Sequence, residues 1–243
     1  MPARSLLLAF ALASALPPSG QAAEAPPLRF IAPLNHVMPF ADFERDRLNG
    51  GIVKDLSEAI AQRVGRTAEF LPVPPRRVGA VLAAGEADAV CYVGQGWIDG
   101  DFHWSPPVFE QNTVVAARPD VPPLADLRGL ANQPVGTVAG YRYRQVDEAL
   151  GSTFLRDNAP SMLVNLRKLA ARRTAYALTE EITLDYHIKL HPGDGLKTAL
   201  RTGHYPTYCA FTRAHELPLD RLDQAVRALV QDGSVGRILA RYR

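Results

Sequence analysis

Between Gly50 and Gly94 the apolar positions change period three times. Ile52, Leu56, Ile60 and Val64 recur every fourth residue, the stripe of an amphipathic helix closed by Gly65. Phe70 to Val73 follows as a short strand, and Pro74-Pro75 blocks a ladder or helix until Arg76. A second helix turns Val78, Val81 and Leu82 inward and stops at Gly85, and Asp88 to Val93 is then a buried strand. Helix, strand, helix and strand in that rhythm predict an α/β lobe with a partly parallel sheet. Its second half returns later in the chain. VLAAGEADAV, Val81 to Val90, aligns without gaps on KLAARRTAYA, Lys168 to Ala177, with Leu82 on Leu169, Ala83 on Ala170 and Ala84 on Ala171. Two such units in one chain suggest two similar lobes with something held between them.

The remaining pattern fits this plan. Leu28 to Ala32 reads as the first strand, followed by the loop Asn35 to Phe40, whose side chains can touch a ligand. Asn112 to Ala117 is a strand, and Pro119 to Pro123 a connection. A strand near Val135 runs through a glycine turn into a helix expected to start near Tyr141. Asn165 to Ala171 is the repeated helix, and Thr174 to Thr179 the repeated strand, ending in Glu180-Glu181. Gly203 to Phe211 reads as a return strand, and Leu219 to Tyr242 as helical, with Leu222, Val226, Leu229 and Val230 on one face before a break at Gly233. If the return strand pairs beside Asn112 to Ala117, the chain crosses between lobes twice and forms a hinge.

Composition narrows the setting. With 243 residues, 47% hydrophobic and 21% charged, the chain can bury a sizeable core. The start carries Arg4, an apolar run from Leu6 to Leu16, the Pro17-Pro18 break and small residues before Glu24, which is the layout of a signal peptide cleaved after Ala22 or Ala23. The run is shorter than the roughly 18 residues of a spanning helix. The formal net charge is +2, one less without Arg4, so no electrostatic footprint for nucleic acid or an anionic membrane is present. Cys91 and Cys209 are the two cysteines; in an exported protein they can pair, and a buried thiol inside the apolar run Ala89 to Val93 is the alternative.

Candidate chemistry gathers at strand ends, where open α/β sheets bind ligands. The strand before Gly94 delivers Tyr92 and Gln95, and Trp97, Phe102 and Trp104 follow as an aromatic wall or as core. The turn Thr137 to Tyr141, with Gly140, offers backbone N–H groups to a carboxylate or other anion, and Glu180-Glu181 suits a cationic group. His187 and His191 share a helical spacing, but Pro192-Gly193 ends that helix and no third metal ligand is evident, so they read as solvated. The chain lacks GxGxxG and Walker spacing, GxSxG and HExxH, and no cofactor or metal is expected.

Taken in order, GIVKDLSEAIAQRVG, LAAGEADAV, FHWSPP (Phe102 to Pro107), DLRGL with VGTVAGYRY, RRTAYALTE and VRALVQDGSVGRILARY resemble the extracytoplasmic solute-binding proteins of family 3, the polar amino acid transport type. The resemblance covers nearly all of the chain after the signal peptide. It implies a two-lobed, type II periplasmic binding protein-like α/β fold hinged on two crossing strands. The expected division is 1–23 signal peptide, 24–117 with 205–243 as the first lobe, and 118–204 as the second. It implies a periplasmic monomer that captures an amino acid or related small polar solute between its lobes and hands it to an ABC-type permease in the inner membrane. In the family an arginine shortly before the FHWSPP-like segment clamps the ligand carboxylate. Here that approach reads GQGWIDGD, Gly94 to Asp101, without one, and Arg77 in the PPRR step is the substitute candidate. The family's acidic residue for the ligand ammonium falls on Glu180. The expected cleft residues are therefore Phe40, Arg77, Tyr92, Gln95, Trp97, Trp104, Thr137, Gly140, Tyr141 and Glu180. The alternatives are a periplasmic enzyme similar to cyclohexadienyl dehydratase, with Glu180 or Glu181 as general acid, and a ligand-sensing module.

Overall fold

The structure, a computed structural model, describes residues 25–214 and 216–242, so the expected signal peptide lies outside the described residues. The apolar periods become two sheets that share one long strand. The first sheet aligns β4 (Ala68–Val73), β1 (Leu28–Pro33), β5 (Ala89–Val93) and the end of β11 (Lys197–Phe211), with β6 (His103–Trp104) also on β11. The second runs from the start of β11 through β7 (Phe109–Ala117), β10 (Tyr176–Glu180) and β8 (Pro134–Val138) to β9 (Leu155–Ala159). A separate hairpin joins β2 (Asp42–Glu44) to β3 (Arg47–Gly50). β1, β4 and β5 are parallel, as are β8, β9 and β10, whereas β7 and β11 run antiparallel to their neighbours. β11 pairs β7 from Lys197 to Thr207 and β5 from Tyr208 to Phe211, so one continuous strand serves both sheets.

The inner strands of each sheet are buried on both faces, which is why they read as apolar runs. In β1, Phe30 and Ala32 face the cluster under α1 (Ile52–Arg63), α6 (Leu219–Gln231) and α7 (Ser234–Ala240), while Ile31 faces α2 (Val78–Ala83). In β7, Val115 and Ala117 face α3 (Arg144–Leu150), and Val114 and Ala116 face α4 (Met162–Ala170) and α5 (Glu181–Leu190). Ile52, Leu56, Ile60 and Val64 are all buried, as the stripe predicts. Val230 departs from its expected face: it is 41% exposed, and Ala225 takes the buried position beside Leu222, Val226 and Leu229. No helix among the described residues is long and apolar enough to cross a membrane.

The internal repeat is structural. Leu82 and Leu169 are fully buried in matching helices that lead to β5 and β10. Each helix ends through the same hydrogen bond, Glu86 N–H to the Val81 carbonyl and Arg173 N–H to the Lys168 carbonyl, with the preceding residue left-handed. That residue is Gly85 (φ 68°) in the first unit and Arg172 (φ 62°) in the second. Only glycine adopts this backbone without a Cβ penalty. Arg172→Gly is expected to stabilise the fold by about 0.5–1 kcal/mol, measured by urea unfolding, because the exposed ion pair of Arg172 with Asp120 contributes little.

Cys91 and Cys209 are paired. They face each other across β5 and β11 with Cα atoms 4.0 Å apart and form a disulfide in which both residues are fully buried.

Candidate functional site

A cavity of about 1070 Å³ opens between the sheets, at the carboxyl ends of β1, β5 and β10 and beside the crossing strand β11. Tyr92 is its pivot. The β5–β11 register shifts between Tyr208 and Cys209, which oppose Val93 and Cys91, so Tyr92 is the unpaired residue of a bulge. Its backbone is left-handed (φ 60°), an unfavourable state for tyrosine. The bulge breaks the alternation of β5: Cys91 and Tyr92 lie on the same side of the sheet, and Val93 on the other. The Tyr92 ring is thereby held against Phe40, stacked at 3.7 Å between centroids, and meets His36 and Trp97 edge-on at 5.4 and 6.2 Å. Trp97 lies over Gly94, where a Cβ would come within 2.7 Å of the indole, so glycine permits the contact. From the return strand, Tyr205 meets the Trp97 ring at 5.5 Å.

Glu180 ends β10 and precedes α5, and it points into the cavity. Burial raises its carboxyl pKa, offset only in part by a backbone hydrogen bond and by the Thr183 hydroxyl, which donates to it at 3.4 Å. No lysine, arginine or histidine among the described residues pairs with it. The hydroxyls of Tyr92, Tyr141, Tyr143 and Tyr205 are all pushed up, mainly by burial and further by the charge of Glu180. Burial lowers His36 to about 4, so this ring is neutral at neutral pH. Asn35 Oδ1 and His36 Nδ1 are buried polar atoms without a hydrogen bond to protein, on residues that line the cavity.

The sequence-derived residues divide into two groups. Tyr92, Gln95, Trp97, Gly140, Tyr141 and Glu180 line the cavity; Phe40, Arg77, Trp104 and Thr137 do not. Phe40 is core and supports Tyr92 from behind. Trp104 packs against Phe102 and Tyr208, and Thr137 is buried with its hydroxyl donating to Asn158 Oδ1 at 2.9 Å. Arg77 is exposed on a 3₁₀ turn whose neighbour Arg76 reaches the cavity rim instead. Glu181 does not share the cleft with Glu180: it accepts from Arg201 at 2.7 Å and Asn112 at 2.6 Å. His187 is buried and bonded to Asp194 at 2.8 Å rather than solvated. Among the described residues no cluster of histidine, cysteine or acidic side chains could hold a metal.

The anticipated anion turn is also different. α3 starts at Arg144, three residues later than the pattern suggests, because the chain first makes a turn at Gly140 (φ 82°). The Ala139 and Tyr141 amides donate to the carbonyls of Ala159 and Val138, and the Val138 amide donates to the Tyr143 hydroxyl. Asn35, His36, Tyr143 and Tyr205 are cavity residues that the sequence-derived set omits. The one visible trace of Tyr205 is a proline between two tyrosines in the return strand, Tyr205-Pro206-Thr207-Tyr208.

Two bonds clasp the cleft. Asn35 Nδ2 donates to the Tyr141 hydroxyl at 3.2 Å, and Arg142 donates to the Gly96 carbonyl at 3.2 Å. Tyr141→Phe removes one acceptor and is expected to shift the open–closed balance by about 0.5–1.5 kcal/mol toward open. An increased radius of gyration in solution scattering would show it, and an unchanged value would mean that the bond does not hold the cleft.

No protein-family model matches this chain, and no curated protein matches it by sequence. Solved structures do. An ancestral arginine-binding protein bound to arginine superposes with a TM-score of 0.73 at 19% identity, covering 88% of this chain and 97% of that one. The arginine-, lysine-, histidine-binding protein ArtJ from the thermophilic bacterium Geobacillus stearothermophilus gives 0.72 at 16% identity, over 89% and 94%. This chain has the two-lobed periplasmic binding protein-like fold. The same fold brings in a histidine kinase sensor domain described as similar to periplasmic binding proteins, at 0.71 and 20% identity over 89% and 95%. In a two-lobed binding-protein fold, β7 and β11 are the crossing strands and the cavity is the interlobe cleft.

Proposed function

We propose that this protein is an extracytoplasmic solute-binding protein that captures a small polar solute, an amino acid or related compound, between its lobes and presents it to a membrane permease. The lobes of this reading are residues 24–117 with 205–243, and 118–204; the exported chain acts as a periplasmic monomer. The observation that carries it is the cleft itself. Walls from both sheets converge on about 1070 Å³ around a half-buried carboxylate, Glu180, that has no cationic partner among the described residues, a costly arrangement unless a ligand completes it. Tyr92, Gln95, Trp97, Gly140, Tyr141 and Glu180 are the proposed contacts within the cleft, with Phe40 as support for Tyr92. Arg77, Trp104 and Thr137 stand outside the lining.

A thermal-shift panel of amino acids, amines and small carboxylates tests this reading. A ligand at about one hundred times its Kd adds roughly 2.7 kcal/mol, several degrees for a chain of this size. A shift by an unconsumed solute supports capture, and a solute consumed during the measurement would point to catalysis at Glu180 instead. A second reading, a ligand-sensing module, draws on the sensor domain among the structural neighbours. Capture of the solute without any stimulation of uptake by a reconstituted permease would favour it.

A further inference from the structure

The charge balance of the cleft narrows the ligand further, given the solute-binding reading above. We propose that the cleft is built for an organic monocation without a carboxylate, an amine, guanidine or quaternary ammonium head whose charge sits against Glu180 among the rings of Trp97, Tyr141 and Tyr205.

Of the acidic and arginine side chains that line the cavity, Asp99, Arg76, Arg142 and Arg144 are exposed and Glu180 alone is not. Glu180 accepts a single side-chain hydrogen bond, long at 3.4 Å, and has no cationic partner among the described residues. Trp97, Tyr141 and Tyr205 line the same cavity, and an aromatic face attracts a desolvated cation, whereas the Tyr92 ring is already stacked on Phe40 and Phe109. The raised tyrosine pKa values show that these hydroxyls lie within electrostatic reach of Glu180 and remain neutral. His36, lowered by burial, supplies no positive charge. Asn35, on the same wall, carries a buried Oδ1 without a protein donor.

Among the described residues, each arginine that lines the cavity is exposed. The Ala139 and Tyr141 amides of the anticipated anion turn are engaged by carbonyls. Of the three arginines that touch the cavity, Arg142 is bonded to the Gly96 carbonyl, and Arg76 and Arg144 are exposed at the rim. A zwitterion would therefore bring an unpaired negative charge next to Glu180, and both desolvation and repulsion oppose that.

Matched pairs that differ only in the acid group test the inference on the purified protein by calorimetry and thermal shift. Suitable pairs are tyramine with tyrosine, histamine with histidine and choline with glycine betaine, with tetramethylammonium as the smallest probe. The cationic member of at least one pair is expected to bind at least roughly 30-fold more tightly than its acid-bearing partner. Tyr205→Ala should weaken that cation about tenfold while Tyr205→Phe retains it, since the ring face is the contact. Acid-bearing members that bind as well as or better than the cations would overturn the inference and leave the solute-binding reading standing. Silence from every pair and from tetramethylammonium at high millimolar concentration would overturn the inference, and the wider panel of amino acids and carboxylates would then decide the solute-binding reading. Equal losses in Tyr205→Ala and Tyr205→Phe would place the contact at the hydroxyl and overturn the ring-face assignment.

Discussion

Glu180→Gln is expected to make the ligand-free protein more stable and a poorer binder at once. The half-buried carboxylate has no counter-charge among the described residues, so replacing it by an isosteric neutral amide removes a desolvation penalty. A gain of roughly 0.5–2 kcal/mol at pH 7 to 8 is in the range found when a strained functional group is relieved. Its pH dependence follows from the direction of the shift. The folded state holds the Glu180 proton more tightly than the unfolded state, whose value is near 4.5. The favourable contribution of the protonated group is therefore complete below about pH 4.5 and is lost as pH rises through the elevated folded value. Wild type and variant should melt together in acid and diverge toward neutral pH. The groups facing Glu180 are Tyr92, Tyr141, Tyr143 and Tyr205, which stay uncharged over that range. His36 gives the opposite slope, with stability increasing between about pH 4 and 6.5, but it is common to both proteins and cancels in the difference. For a cationic ligand the same substitution should cost roughly 2–4 kcal/mol, about 30- to 1000-fold in Kd, because a desolvated ion pair is lost. Melting curves that coincide at all pH values, together with an unchanged Kd, would remove Glu180 from the site.

Removing the disulfide should have the largest effect on the fold. The bridge spans 118 residues of sequence and ties β5 to β11, the strand that serves both sheets. Chain entropy alone gives about 4.9 kcal/mol for a loop of this length, and native disulfides typically contribute about 2–5 kcal/mol. Cys91→Ala combined with Cys209→Ala should lower Tm by roughly 5–15 °C. Ligand affinity should fall as well, since Cys91 precedes the bulged Tyr92 and anchors its strand. A change in stability below about 1 kcal/mol would mean that the ladder between the two strands holds them without the bridge.

The sequence by itself determined the layers of this protein. Every fourth residue from Ile52 to Val64 and the matched helix–strand steps at Val81 and Lys168 become core faces, because which side of a helix is apolar is a property of neighbouring residues alone. The carboxylate at the end of the repeated strand was visible for the same reason. β9 was not, since its residues Leu155 to Asn158 are mostly exposed at a sheet edge and carry no apolar alternation. Only the tertiary structure decided what meets in the cleft. Phe40 and Tyr92 both read as candidate contacts, yet one is core and the other cavity wall, because a bulge set by the β5–β11 register aims the second. Tyr205 joins them from a strand far along the chain, Glu180 alone of the acidic pair faces inward, and the two cysteines become opposite neighbours. Each of these outcomes depends on how distant strands pair, and a periodic pattern fixes which face of a strand is apolar but not which strand lies beside it.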